Sequence, residues 1–221
     1  SAGEQVLKSK LWPPRLRRHT LVRPRLQERL LEALDVPLTI VQAGPGYGKT
    51  TALVSFLASA PCRYVWYTVS TDDQHPFPFL LHLIHALKAA VPGLSGRATQ
   101  LLESGGGPNR PWTQVVDALT SDLLAATGQE LLIVLDDFHN VDENPQIVAL
   151  VEQFIEHMPQ HVHLALATRR RPPLAGLPRW RALADVVEVT EKDLAFTPAE
   201  VEELFLDQYG ISLTSEQTVA L

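Results

Sequence analysis

Between Leu38 and Thr51 the chain passes without interruption from an apolar run, Leu38-Thr39-Ile40-Val41-Gln42-Ala43, into Gly44-Pro45-Gly46-Tyr47-Gly48-Lys49-Thr50-Thr51. A helix-period segment then continues to about Ala58. A strand, a glycine-rich turn and a helix in that order commit a chain to an α/β layer arrangement, because parallel strands need crossover connections. The spacing fits the phosphate-binding P-loop, with Ala43 standing where a glycine is usual. Gly44, Gly46 and Gly48 lack a Cβ, so backbone N–H groups can converge on an anion. The helix start adds partial positive charge at the same point. On this reading Gly44, Pro45, Gly46, Tyr47, Gly48, Lys49, Thr50 and Thr51 form the phosphate cradle. Lys49 reaches the β- and γ-phosphates, and the Thr50 hydroxyl ligates Mg²⁺. The bland alternative is a glycine-rich turn with a lysine on the first helical turn. Spacing and context together disfavour it.

The rest of the chain repeats the strand–helix alternation. Strands are expected at Tyr64–Val69, Leu131–Leu135, His161–Thr168 and Val186–Val189. Helices are expected from Pro24 to about Leu34, Phe79 to Ala90, Trp112 to Ala126, Pro145 to His157, and onward from Thr197-Pro198-Ala199-Glu200, where Thr197 reads as an N-cap. Pro92 to Pro111, with Gly105-Gly106-Gly107-Pro108, reads as a long loop. Nearly continuous apolar strands separated by helices predict a mostly parallel sheet with helices on both faces. The chain stops at Leu221 inside a helix expected from about Ser215, the pattern of a piece of a longer protein.

Two further segments carry chemistry. The apolar run Leu131–Leu135 delivers Asp136-Asp137 to its end, where α/β sheets bind ligands. Asp136 is expected to hold Mg²⁺ and Asp137 to polarise an attacking water as a general base. Thr168-Arg169 ends the next strand, and Arg169 is the candidate for neutralising transition-state charge. The run Arg169-Arg170-Arg171 reads equally well as a solvated basic turn. Asp72 and Asp73 read as a surface turn, with an approach to the ligand as the alternative. The pairs His82/His85 and His161/His163 lack carboxylates at ligand spacing, and Trp12, Trp66, Trp112 and Trp180 read as packing residues.

Composition narrows the class. At 221 residues with 45% hydrophobic side chains the chain can bury its own core, and one cysteine, Cys62, excludes a disulfide framework. A net charge of −6 argues against coating nucleic acid with the whole surface. The first thirty residues nevertheless carry Lys8, Lys10, Arg15, Arg17, Arg18, Arg23, Arg25 and Arg29. That run reads as a solvated lead-in, with a phosphate or nucleic-acid contact as the alternative. No segment suits a membrane span or secretory signal, so the expected address is the cytoplasm.

Several of these stretches line up with one family. Leu21-Val22-Arg23-Pro24-Arg25-Leu26, the P-loop from Ala43 to Thr51, Val65-Trp66 with Asp72-Asp73, and Leu135-Asp136-Asp137-Phe138-His139 all match. So do Leu166-Ala167-Thr168-Arg169 through Pro172-Pro173-Leu174, and Leu194-Ala195-Phe196-Thr197 with Glu200. The chain resembles the STAND-class ATPase module of large LuxR-type transcriptional regulators over roughly residues 20–206. The resemblance implies a P-loop NTPase domain over 1–190, with a basic lead-in over 1–35. It also implies the start of a helical and winged extension over 191–221. Val22 and Arg23 match the family segment lying along the adenine. ATP or ADP with Mg²⁺ is the implied cofactor, and slow hydrolysis in a switch the implied activity. Inducer and DNA would be bound by C-terminal domains that lie outside this chain, and the full-length protein would self-associate with ATP. A high-turnover AAA+-type ATPase, another P-loop enzyme such as a small-molecule phosphotransferase, and a nucleic-acid module built on the basic segment are the competing readings.

Overall fold

The computed structural model describes residues 6–104, 112–126, 128–213 and 217. Among these, five apolar segments form β1 (Leu38–Gln42), β2 (Arg63–Thr68), β3 (Leu131–Asp136), β4 (Val162–Thr168) and β5 (Val186–Val189). They make one sheet in the order β2-β3-β4-β1-β5, and every neighbouring pair is parallel. Between and around them run α1 (Pro24–Leu31), α2 (Lys49–Leu57), α3 (Pro76–Ala90), α4 (Arg97–Ser104) and α5 (Trp112–Ala126). They are followed by α6 (Pro145–His157), α7 (Leu177–Ala182), α8 (Glu191–Leu194) and α9 (Pro198–Tyr209). From β1 the chain crosses two strands to reach β2, whereas β5 returns to the other side of β1. That reversal opens a crevice at the carboxyl ends of β1 and β4, where ligands of open α/β sheets sit.

Helices cover both faces, as the continuous apolar strands require. On one face Ile40, Tyr67, Ile133, Leu164 and Leu166 pack with α3, α5 and α6. On the other, Val41, Trp66, Val134, Ala165 and Ala167 pack with α1 and α2. This explains the alternation seen in His161–Thr168. It is not apolar against polar, since all seven residues of β4 are buried. It is large against small, with leucines facing the α3/α6 layer and alanines facing the layer that carries the P-loop helix.

Three expectations need correction. A helix, α4, lies inside the stretch read as a loop; Ala98 and Leu102, one turn apart, are its buried side, too short a pattern to register as periodic. Residues 105–108 lie outside the described residues, as does the helix expected from Ser215 apart from Gln217, which is helical. Trp12 is 67% exposed rather than packed, while Trp66 and Trp180 are buried as expected.

The third correction concerns Asp73, which is neither a surface turn nor a ligand contact. It is 0% exposed. Lys10 Nζ donates to both its oxygens at 3.0 and 2.9 Å, and the Ser70 amide donates at 2.9 Å. His82 accepts the Leu7 N–H at Nε2, so its protonated Nδ1 lies 3.2 Å from Asp73 Oδ1 and 2.8 Å from the Pro78 carbonyl. Burial alone would push the Asp73 carboxyl up, but the bonds from His82, Lys10 and Ser70 outweigh it and hold it well below the usual carboxylate range. Part of the basic lead-in is thus an anchor, since Lys10 staples the N-terminal segment across β2 and α3. In Lys10→Met the fold should lose about 3 kcal/mol at pH 7, because the buried Asp73 loses its lysine counter-charge and keeps only the Ser70 and His82 bonds. A carboxyl held low in the fold contributes stability above its unfolded pKa and loses it in acid. The gap in urea midpoints should therefore close as pH falls below roughly 4; a gap independent of pH would count against the ion pair as its source.

Candidate functional site

The turn after β1 is bent by glycine. Gly46 and Gly48 have φ of +84° and +78°, conformations that cost an L side chain strain. Gly48 caps α2 without a side-chain bond, so the first turn of α2 begins directly at the crevice. Lys49 is buried, and its ammonium folds back to donate to the carbonyls of Ala43 and Gly44 at 2.7 and 2.8 Å. Burial pulls its pKa down, while the carboxylates of Asp137, Asp136 and Glu191 oppose that shift. Burial and the flanking carboxylates thus act on this ammonium in opposite senses, and its hydrogen bonds stay within the turn.

β3 brings the two acids to the same edge. Asp136 is 3% exposed, and both its oxygens accept from Thr50 Oγ1, at 3.1 and 3.0 Å. Burial and the neighbouring Asp137 raise its pKa to about 6, against the Thr50 bond, which lowers it. Asp137 follows in a left-handed conformation, φ 58° and ψ 37°. That turn sends the chain out of the strand and leaves the Asp137 carboxylate partly exposed, 3.8 Å from His139 Nδ1. Lys49, Thr50, Asp136 and Asp137, far apart in sequence, thus share one end of the sheet.

At the end of β4 the three arginines separate. Arg170 is committed to the buried carboxylate of Asp142, which accepts from its Nε at 3.1 Å, and to Glu143. Arg169 and Arg171 are exposed. Arg169 lies close enough to depress the pKa of both Lys49 and His139 by its charge. The strand-end arginine therefore lies within charge range of Lys49 and His139, while its successor does a structural task.

Next to the loop is a cavity of about 290 Å³ lined on one side by Gly46, Tyr47, Gly48, Thr51 and Ala52. The opposite wall comes from the lead-in and the C-terminal segment, including Leu21, Arg23, Phe196, Leu204 and Gln208. Val22, expected here with Arg23, is 62% exposed and does not line the cavity; its two neighbours do. Arg23 is 9% exposed and is not a solvated lead-in residue. Its guanidinium donates to the carbonyls of Leu194 and Ala195 at 2.8 Å each. Its Nε lies 3.2 Å from Glu200, and its plane stacks 4.4 Å from the Phe196 ring. Arg25 adds bonds to the carbonyls of Asp193 and Ala195 and pairs with Glu200.

The resemblance placed the segment after about Glu191 over the ligand but named none of its wall side chains, and it missed the contact of Glu191, whose Oε1 accepts the Gly44 N–H at 2.9 Å. One signal was available. The basic stretch Arg23–Arg29 has an acidic counterpart in Glu188, Glu191, Asp193 and Glu200. Among the described residues no cluster of three or more histidine, cysteine or carboxylate side chains forms a metal site. His163 instead bonds the Val36 carbonyl and Glu130 at 2.8 and 2.7 Å.

No family model matches the chain. Among curated proteins it is 31% identical over 203 residues to the HTH-type transcriptional regulator MalT of Cronobacter sakazakii, covering 90% of this chain and 22% of the regulator. MalT of Vibrio cholerae is 30% identical over 200 residues, covering 89% of this chain and 21% of that protein. The chain thus spans about a fifth of the length of the curated relatives it matches. Among solved structures, a Signal Transduction ATPase with Numerous Domains protein with a tetratricopeptide repeat sensor from Pyrococcus horikoshii superposes with a TM-score of 0.56 at 19% identity. That match covers 94% of this chain and 28% of the archaeal one. A Walker-type ATPase of Pyrococcus abyssi gives 0.53 at 13% identity, covering 93% and 63%. The chain is thus similar in sequence to one segment of the MalT transcriptional regulators and shares its fold with a STAND protein and a Walker-type ATPase.

Proposed function

We propose that this module is the nucleotide switch of a signal-responsive transcription regulator, taking ATP or ADP with Mg²⁺ and hydrolysing ATP slowly. The observation that carries this reading is the cavity itself: one wall is the glycine-rich loop, and the other joins the lead-in to Phe196, Leu204 and Gln208 of the C-terminal segment. A ligand seated there touches both at once. It can therefore bias their relative arrangement, to the extent that its affinity differs between the two arrangements. On this reading residues 1–190 are the catalytic core and 191–221 begin the extension that moves against it. DNA and inducer are bound elsewhere in the full-length regulator, in keeping with the HTH-type relatives, and nucleotide-driven self-association belongs to that longer protein. A cytoplasmic address is part of the same reading.

Each residue has a task. Gly44 to Thr51 supply the turn that wraps the phosphates. Lys49, now resting on carbonyls of its own loop, turns its ammonium to the β- and γ-phosphates. Asp137 orients and deprotonates the attacking water, and Arg169 steadies charge building on the terminal phosphate. Arg23 and the neighbouring lead-in hold the base side. Thr50 and Asp136 fit Mg²⁺: they offer adjoining hydroxyl and carboxylate oxygens, the donors a hard cation takes. Asp136 is moreover a buried carboxylate whose bonded side-chain partner is a hydroxyl, so a cation there would relieve its desolvation. When bound, the metal supplies charge neutralisation to the phosphates.

Two predictions follow from these assignments. With Mg·ATP at a hundred times Kd the wild-type fold should gain about 2.7 kcal/mol, read as a rise in melting temperature. Lys49→Ala should abolish that rise, while Asp137→Asn should keep it and slow phosphate release. A wild type whose melting curve ignores Mg·ATP would defeat the assignment, and rapid steady-state turnover would favour the motor reading. The second concerns the protein in EDTA. A carboxyl raised to about 6 from 3.8 destabilises the fold as pH climbs through that interval. Asp136→Asn should therefore be more stable than wild type at pH 7 by roughly 3 kcal/mol at most, with the difference gone at pH 4. Urea unfolding at the two pH values measures it, and equal stability at pH 7 would show that Asp136 is not desolvated.

A further inference from the structure

The phosphate turn already holds an anion of its own. The Gly44 N–H donates to Glu191 Oε1 at 2.9 Å, and the Gly44 carbonyl accepts from Lys49 Nζ at 2.8 Å. A carboxylate and an ammonium thus meet the turn at a single residue, and Glu191 is among the charges that raise the pKa of Lys49. Glu191 is exposed, so burial does not force it there. Its backbone is nevertheless fixed. It opens α8, whose start is closed by the reciprocal Thr190–Asp193 capping box. The carbonyls of Asp193, Leu194 and Ala195 are gripped by Arg23 and Arg25.

Position along the loop gives that charge a consequence. The cavity is lined by Gly46, Tyr47, Gly48 and Thr51 but not by Gly44, Lys49 or Glu191. A base and sugar seated in the cavity therefore send their phosphate chain away from it, toward Lys49 and Gly44. The last phosphate comes nearest Glu191. Resting on the nucleotide reading above, we propose that Glu191 is a specificity-determining residue of this site. It sets the balance between nucleoside di- and triphosphate by placing a negative charge at the far end of the phosphate turn. A diphosphate stops short of the carboxylate. A triphosphate brings like charge against it, so Glu191 must give up the Gly44 bond and move into solvent. An exposed side chain can do so at a small but finite cost.

The test compares wild type with Glu191→Gln, which keeps length and hydrogen-bonding capacity but removes the charge. Calorimetric titrations use Mg·ADP and a magnesium-bound, non-hydrolysable imido analogue of ATP. At low salt the Gln variant should shift the ratio of the two Kd values about five-fold toward the triphosphate, the scale of one partly exposed charge. The shift should come mainly from tighter triphosphate binding and should shrink as salt screens the pair. Glu191→Asp, which retains the charge, should stay nearer wild type than Gln. A Gln variant with an unchanged ratio at low salt, or with both nucleotides tightened equally, overturns the role of Glu191 and leaves the nucleotide reading standing. A wild type that binds neither nucleotide overturns both.

Discussion

The Lys49 ammonium is the constraint around which this end of the molecule is arranged. It sits under the loop, largely removed from water, with the carbonyls of Ala43 and Gly44 as its hydrogen-bond acceptors. A buried cation satisfied by carbonyls alone has its hydrogen bonds but not its charge balanced. The carboxylates of Asp136, Asp137 and Glu191 make up part of the difference from different parts of the chain. The turn thus carries a buried positive charge whose hydrogen bonds go to its own carbonyls and whose balance comes from carboxylates on other elements.

The second organising contact joins the two ends of the described chain. Arg23 and Arg25, at the start of α1, grip three consecutive carbonyls at the end of α8 and the carboxylate of Glu200. Glu200 is simultaneously the capping-box acid of α9, bonding the Thr197 amide at 2.9 Å. These bonds pull its pKa below the usual carboxylate range against the effect of burial. One carboxylate therefore starts a helix and fastens it to the N-terminal segment. Arg can do this where Lys could not, because its planar fork reaches several acceptors at once.

What could be read from the sequence, and what could not, divides by distance along the chain. The P-loop spans eight residues and Asp136-Asp137 follow their strand directly, so a local pattern was enough to place both at one sheet edge. The Thr197–Glu200 cap is three residues long and equally legible. Asp73 was misread because its partners Lys10 and His82 come from separate elements, and nothing near it in sequence announces a buried charge. Arg23 was placed beside the ligand by resemblance, yet its bonds to residues some 170 positions away belong to no local pattern. Glu191 is invisible for the same reason. An acid at the start of a short helix is ordinary, and only the fold brings it to Gly44.

These long-range contacts converge on α8, and this gives the architecture its mechanical logic. Its first residue touches the phosphate turn and its last carbonyls are held by the lead-in. Through Phe196 and α9 the segment that follows walls the cavity. α8 is only four residues long, and beyond Leu194, which joins the core beside α1 and α2, it is located by these polar contacts. Apolar packing resists small displacements on every side, whereas a hydrogen bond to an exposed carboxylate can be exchanged for water with little net change. The contact of α8 with the turn, the exposed Glu191–Gly44 bond, is thus exchangeable, whereas the Arg23 bonds at its other end are buried. Gly44 is thus joined to α8 by Glu191, and α8 to the start of α9 by Arg23 and Arg25, through hydrogen bonds that lie outside the sheet.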